Sequence, residues 1–127
     1  MKRAEELYHR SLALIGEIPG AENQLFRERA VPLMNVLLSQ LYELDIALRG
    51  GKLCPGGIIP QVTHLEETLP FSEAILYTVL PLGLAGLLLM EEEAERGRFF
   101  LQLYHTEVEI LRDRCKRGIR HKIRRSV

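Results

Sequence analysis

Residues 70–115 read PFSEAILYTVLPLGLAGLLLMEEEAERGRFFLQLYHTEVEILRDRC, and we expect the rest of the chain to pack around them. Within this stretch, the 17 residues from Ala74 to Met90 include no charged side chain. A helix that is apolar on all sides is buried, either in a protein core or in a membrane. The run is shorter than the ~20 residues that span a bilayer, and neither flank has the basic cluster typical of a membrane-spanning helix. We therefore predict a core helix of a bundle, with a membrane span as the alternative.

Two prolines in this stretch indicate where its helices begin and bend. Pro70 suits a first helical turn, whereas Pro81 inside a helix removes a hydrogen bond and clashes with the preceding turn. They predict a short helix at residues 71–79 and a longer one from residue 81. Downstream, one helical face is indicated by apolar and small residues spaced three and four apart: Leu87, Met90, Ala94, Gly97, Leu101, Tyr104, Val108, Leu111 and Cys115.

Residues 93–97 allow two alternatives, a continuous helix or a break. Gly97 weakens a helix by roughly 1 kcal/mol relative to alanine, which favours a break or a kink. The glutamates at positions 91, 92, 93 and 95 favour continuation, and both alternatives stay open. Ala94 and Gly97 are small enough to let a neighbouring helix approach closely.

Two further helices are predicted upstream of this stretch. The first runs from Arg3 to about Glu17, and the second from about Glu22 to Arg49, with a kink or a late start at Pro32. Glycines and prolines crowd residues 50–69 and predict an irregular loop. The predicted fold class is therefore all-α, a bundle of three to five helices with a long irregular loop at about residues 50–69.

The charges of the chain are balanced in total but unevenly distributed. Its 127 residues include 17 basic and 17 acidic side chains. Residues 112–127 hold eight of the basic residues and one acid, a net charge of +7, so residues 1–111 carry −7. We predict a helical bundle domain at residues 1–111 and a basic C-terminal extension at residues 112–127. The candidate partner- or DNA-binding residues are Arg112, Arg114, Lys116, Arg117, Arg120, Lys122, Arg124 and Arg125.

Three interpretations of this basic segment remain open. It is a solvated chain end, a segment that docks on an acidic protein surface, or a contact for nucleic acid. Lysine and arginine contacts to phosphates provide affinity that depends on salt and not on base sequence. Only 6% of the residues are aromatic and none is tryptophan, so a surface on which bases stack is not expected.

No catalytic residue, metal site or cofactor site is predicted, and we expect a protein that is not an enzyme. Glu6 and His9 have the spacing used in di-iron bundles, but the chain has no second motif of that kind. His105, for example, follows a glutamine at position 102. Cys115 lies on the predicted apolar face, which indicates core packing, and Cys54 is far from it in sequence.

Motifs along most of residues 4–112 occur in a characteristic order. They are Leu33-Met34-Asn35-Val36-Leu37-Leu38, Leu69-Pro70-Phe71-Ser72-Glu73, Leu80-Pro81-Leu82-Gly83-Leu84-Ala85, the acidic residues 91–95, and Phe99-Phe100 followed by Tyr104 and Glu107. In this order the chain resembles the small helical head–tail connector proteins of tailed phages and prophages, which are also called adaptor or head-completion proteins.

The resemblance implies a structural function without catalysis. Such a protein binds the portal vertex after DNA packaging, as a ring of identical subunits, and presents a site for the next neck or tail component. The basic segment would then dock on the portal or contact channel DNA without reading bases. The implied location is the host cytoplasm or the virion neck, with no membrane. The alternative function is a nucleic-acid-binding or regulatory helical module that uses the basic segment.

Overall fold

Four α-helices account for most of the chain that the computed structural model describes, which is residues 2–20, 23–51 and 59–126. Side chains are described for residues 3–20, 23–51 and 59–117. The predicted all-α bundle is confirmed. The elements in chain order are β1 (Lys2–Arg3), α1 (Ala4–Leu14), α2 (Gln24–Leu48), β2 (Thr68–Leu69), a π-helical segment (Ile75–Val79), α3 (Leu80–Leu89) and α4 (Ala94–Ser126).

Helix α3 lies at the centre of the bundle, where it contacts α1, α2 and α4. Its buried residues point in every direction around the helix axis: Leu80, Pro81, Gly83, Leu84, Ala85, Gly86, Leu88 and Leu89. A charged side chain at any of these positions would be removed from water without a partner. This explains why residues 74–90 are uncharged, and it confirms the prediction of a core helix.

Helices α3 and α4 form an antiparallel hairpin in which the two backbones come into contact. A Cβ atom added to Gly97 would lie 2.9 Å from the carbonyl oxygen of Gly86, and one added to Gly86 would lie 3.0 Å from the carbonyl oxygen of Gly97. Glycine is therefore required on both sides of this crossing. The prediction that Gly97 allows a neighbouring helix to approach closely is confirmed.

The chain reverses direction at residues 90–93, so the helix breaks just before residues 93–97, where a break and a continuous helix were both open. Met90 is the last residue before the turn, the Glu93 N–H donates to the Leu89 carbonyl at 2.8 Å, and α4 begins at Ala94. The glutamates do not keep the helix continuous, because the propensities that favour continuation differ by less than about 1 kcal/mol per residue. Packing α4 against α3 buries Phe100 and Tyr104, and burial of one large apolar side chain contributes about 1.5–3 kcal/mol.

A kink or a restart was predicted at Pro81, and the helical hydrogen-bond pattern changes just before it. In the π-helical segment the Leu80 N–H donates to the Ile75 carbonyl, five residues back. The helix is continuous through Pro81, and the wider π turn just before it accommodates the proline, which has no N–H to donate. The buried Ser11 hydroxyl lies 3.1 Å from the Pro81 carbonyl and 3.0 Å from the Leu7 carbonyl, which joins α1 to α3.

Glycines follow both upstream helices. Helix α1 ends three residues earlier than predicted, and Gly16 follows it at φ +81°. Gly50 and Gly51 follow α2 at φ +88° and +82°, a conformation that favours glycine after a helix. Pro32 lies inside α2, so this helix has no late start.

The predicted loop at about residues 50–69 is irregular over most of the residues that the structure describes. Residues 52–58, including Cys54, lie outside them. The Asn35 side chain exchanges two hydrogen bonds with the backbone of Val62, at 2.7 and 2.9 Å, and this holds the loop on α2. At the end of the loop, β2 pairs antiparallel with β1, with Leu69 opposite Lys2.

A buried carboxylate links α2 to the start of the central helical segment. Asp45 Oδ1 accepts a hydrogen bond from the Ser72 N–H at 2.7 Å, and its Oδ2 pairs with Arg49 Nη2 at 2.7 Å. The carboxylate satisfies an N–H at the positive end of the helix, a position where a negative charge is stabilised.

By length and composition alone, α2 is the one described helix that could cross a membrane. Core helices pass the same test, and α2 contributes Met34, Leu37 and Leu41 to the buried core. The segment from Ile75 to Leu89 is apolar but shorter.

Candidate partner- and DNA-binding segment

The predicted basic segment is the C-terminal part of α4. The helix runs from Ala94 to Ser126 without interruption, so the backbone does not mark the predicted domain boundary at residue 112. What changes near this position is burial. Leu111 is the last buried residue among the described side chains, and Cys115 is half-buried against the core. The division into residues 1–111 and 112–127 stays a prediction.

Four of the eight predicted binding residues have described side chains, and all four are exposed. They are Arg112, Arg114, Lys116 and Arg117. The other four lie on the helical backbone, and their side chains are outside the described part: Arg120, Lys122, Arg124 and Arg125. The helix therefore presents the described cations to solvent and does not bury them against the bundle.

Arg112, the first cation of this segment, makes an exposed ion pair within α4. Arg112 Nη1 lies 2.8 Å from Glu109 Oε1, and the Arg112 side chain is 51% exposed. An exposed pair of this kind contributes about 0–1 kcal/mol, so it does not hold Arg112 away from a stronger anion. The described cations are accessible to phosphates or carboxylates from solvent.

A cleft of about 340 Å³ lies next to Arg112, between α2 and α4. Tyr104 lies in it, and its hydroxyl donates to Gln40 Oε1 at 3.1 Å. Burial raises the pKa of Tyr104 to about 12, and the nearby positive charge of Arg112 opposes this shift. His105 and Glu109 of α4 also line the cleft, with Leu41 of α2.

The outer face of α4 carries three large apolar side chains that the sequence-based predictions did not include. Phe99, Leu103 and Ile110 are 56%, 38% and 39% exposed. The apolar face predicted for this helix is the one that packs on α3. A second series at 99, 103 and 110, spaced by four and seven residues, was visible in the sequence and indicates a second apolar face.

A second cleft, of about 390 Å³, lies between α1 and the segment that leads into α3. Its lining is mainly apolar, with Leu14, Pro81 and Leu82 among the contributing residues. The Arg10 guanidinium lies 4.6 Å from the centre of the Tyr77 ring at this site and donates to the Tyr77 carbonyl at 3.5 Å. Arg10 is thus held in place by groups of the protein.

The carboxylate beside the Glu6–His9 pair has an arginine partner. Glu5, next to the Glu6–His9 pair, binds Arg27 at 3.0 Å and lies 3.9 Å from His9. No group of three or more His, Cys, Asp or Glu side chains that could hold a metal ion occurs among the described residues.

Two members of the acidic run bind arginines. Glu91 pairs with Arg29 of α2 at 2.6 Å, and Glu93 pairs with Arg96 at 3.0 Å. Arg96 also donates to the Ile15 carbonyl at 3.0 Å, so the turn between α3 and α4 is tied to α1 and α2.

No protein-family model, curated protein or solved structure matches this chain.

Proposed function

We propose that this chain is a structural head–tail connector of the phage type, which binds a portal protein and takes part in assembly of the neck without catalysing a reaction. The observation that carries the proposal is the exposed basic end of α4, which continues as a helix beyond the last buried residue, Leu111. The motif order of residues 4–112 is the second support.

This geometry suits docking on an acidic protein surface. The cations Arg114, Lys116 and Arg117 are exposed on a helix whose first half is anchored in the bundle. A rigid element presents its charges in a defined arrangement, so fewer degrees of freedom are lost on binding than with a flexible tail. The net charge of +7 on residues 112–127 also accelerates association with an acidic partner.

The test is a pull-down of the purified chain with the portal protein encoded in the same genome. We expect a complex with the wild-type chain, and a loss of affinity of about tenfold or more for Arg114→Gln/Arg117→Gln, equivalent to about 1.4 kcal/mol. The matched control is Arg3→Gln/Arg98→Gln, which removes two exposed arginines outside the basic segment. The control should bind like the wild type. Absence of a complex with the wild-type chain would contradict the proposal.

A nucleic-acid-binding module is the second candidate, because the same exposed cations can contact phosphates. The logarithm of the association constant for DNA should then fall linearly with the logarithm of the salt concentration, with a slope of about −0.9 per phosphate contact. Truncation of the chain before Arg112 should abolish DNA binding. Salt-independent or undetectable DNA binding by the full chain would exclude this candidate and leave the connector proposal intact.

A further inference from the structure

The outer face of α4 has the pattern of a helix that packs against another helix. Phe99, Leu103 and Ile110 are exposed, and with Thr106 they are spaced four, three and four residues apart. This spacing keeps one seam along the helix, as in paired helices. The seam is turned by roughly 110–130° around the helix axis from Tyr104 and Leu111, which α4 buries on α3. Phe99 packs edge-on against the Phe100 ring, with ring centres 5.5 Å apart, and the remaining surface of Phe99, Leu103 and Ile110 is exposed.

The charges along α4 indicate what covers this seam. Residues 91–98 hold four glutamates and two arginines, a net charge of −2, whereas the second half of the helix is the basic segment from Arg112. Glu91 and Glu93 pair with Arg29 and Arg96, so Glu92 and Glu95 are the carboxylates that can face the basic segment of a second copy. A second copy packed in the same direction would place like charges side by side. In an antiparallel pair, the basic half of each α4 lies along the acidic start of the α4 of the other copy.

We propose that the free protein forms a two-fold symmetric dimer in which the α4 helices of two copies pack antiparallel through Phe99, Leu103 and Ile110. Such an interface uses the same surface on both copies and closes on itself. In a pair centred near Thr106, residues 94–118 of the two copies lie side by side over roughly 36 Å, with the apolar seam in the middle of this contact. The inference rests on the exposure and charge of α4 and does not depend on the proposed connector function.

Dimerisation covers part of the basic segment, so the dimer and a portal or DNA complex compete for the same cations. Leu103→Glu separates the two proposals, because it places a charge in the apolar seam and leaves every basic residue in place. A dimeric wild-type chain together with a monomeric Leu103→Glu chain that still binds the portal would support both the dimer and the connector function. A dimeric wild-type chain that does not bind the portal would support the dimer alone.

The first experiment is sedimentation velocity of the wild-type chain at low salt over a range of concentrations. We expect a species of twice the 14.5 kDa chain mass, and a dimer dissociation constant raised by about tenfold or more in Leu103→Glu. Val36→Glu is the matched control, because Val36 is an exposed apolar residue of α2, 48% accessible, and lies outside the seam. Circular dichroism checks that both variants fold. A wild-type monomer at all concentrations, a larger ring, or a dimer unaffected by Leu103→Glu would overturn the proposal.

The second experiment tests the direction of packing by disulfide trapping. In a background with Cys54→Ser and Cys115→Ser, one chain carries Glu95→Cys and another carries Arg117→Cys. In an antiparallel pair centred near Thr106, the two residues 95 lie roughly 30 Å apart, whereas residue 95 of one copy lies beside residue 117 of the other. Oxidation should link the two variants only when they are mixed. Efficient linkage of either variant to itself would show parallel packing and overturn the proposal.

Discussion

The two halves of α4 belong to one uninterrupted helix and are stabilised in different ways. From Ala94 to Leu111 the helix buries Phe100, Tyr104 and Val108 against the bundle. From Arg112 to Arg117 every side chain is exposed except the half-buried Cys115. The first half depends on tertiary packing, and the second depends on helix propensity and on its continuity with the first. One helix can therefore hold both a core element and a binding surface, with no break in the backbone between them.

The largest expected effect is on the first half, at its contact with α3. Gly97→Val should lower the free energy of unfolding by about 3 kcal/mol, because the added side chain meets the Gly86 carbonyl oxygen and the Met90 backbone. Chemical denaturation followed by circular dichroism measures this value. Gly20→Val is the control, since no atom lies within 4 Å of a Cβ atom at position 20. It should change stability by less than about 0.5 kcal/mol. Equal losses of stability at positions 97 and 20 would show that the close crossing of α3 and α4 contributes nothing to the free energy of unfolding.

An intermediate effect is expected at high pH, also from the first half. Burial raises the pKa of Tyr104 to about 12 from its ordinary value of 10.0. Between these values Tyr104 ionises in the unfolded chain and keeps its proton in the folded chain. The shift therefore contributes about 2 kcal/mol to the free energy of unfolding. This contribution is fully present below pH 10 and is lost as the pH rises to 12.

Denaturation curves of the wild type and Tyr104→Phe at a series of pH values between 9 and about 12 measure this contribution. Other titrating groups are common to both chains, so the difference between the two slopes isolates Tyr104. We expect the wild type to lose more stability than the variant over this range. Parallel curves would show that Tyr104 ionises at its ordinary pKa.

The smallest expected effect is on the second half. Deletion of residues 116–127 should change the free energy of unfolding by less than about 0.5 kcal/mol, because no described side chain beyond Cys115 is buried. The measurement is made in the Leu103→Glu background, so that self-association does not contribute to stability. A loss as large as that expected for Gly97→Val would show that the second half packs on the bundle.

Much of the fold follows from local sequence signals. The apolar run around α3 predicted a central helix because no charge can be tolerated on any of its sides, and Gly97 predicted a close helix crossing because it lacks a side chain. Whether the helix breaks near residues 93–97 stayed open, since Gly97 favours a break and the neighbouring glutamates favour a helix. The apolar face formed by Phe99, Leu103 and Ile110 was also missed, because one face of α4 already accounted for its periodicity. The binding role of the basic residues from Arg112 onward stays a prediction.

The sequence by itself determined the all-α class, the position of the uncharged core helix and the location of the positive charge, because these depend on composition and on spacing along the chain. Only the tertiary structure decided where α3 ends and α4 begins, which of the two apolar faces of α4 is buried, and that the basic residues lie on a continuation of that helix. These features depend on contacts between residues far apart in sequence, such as Gly86 with Gly97. The free energy of such contacts exceeds the small local propensities that sequence patterns report.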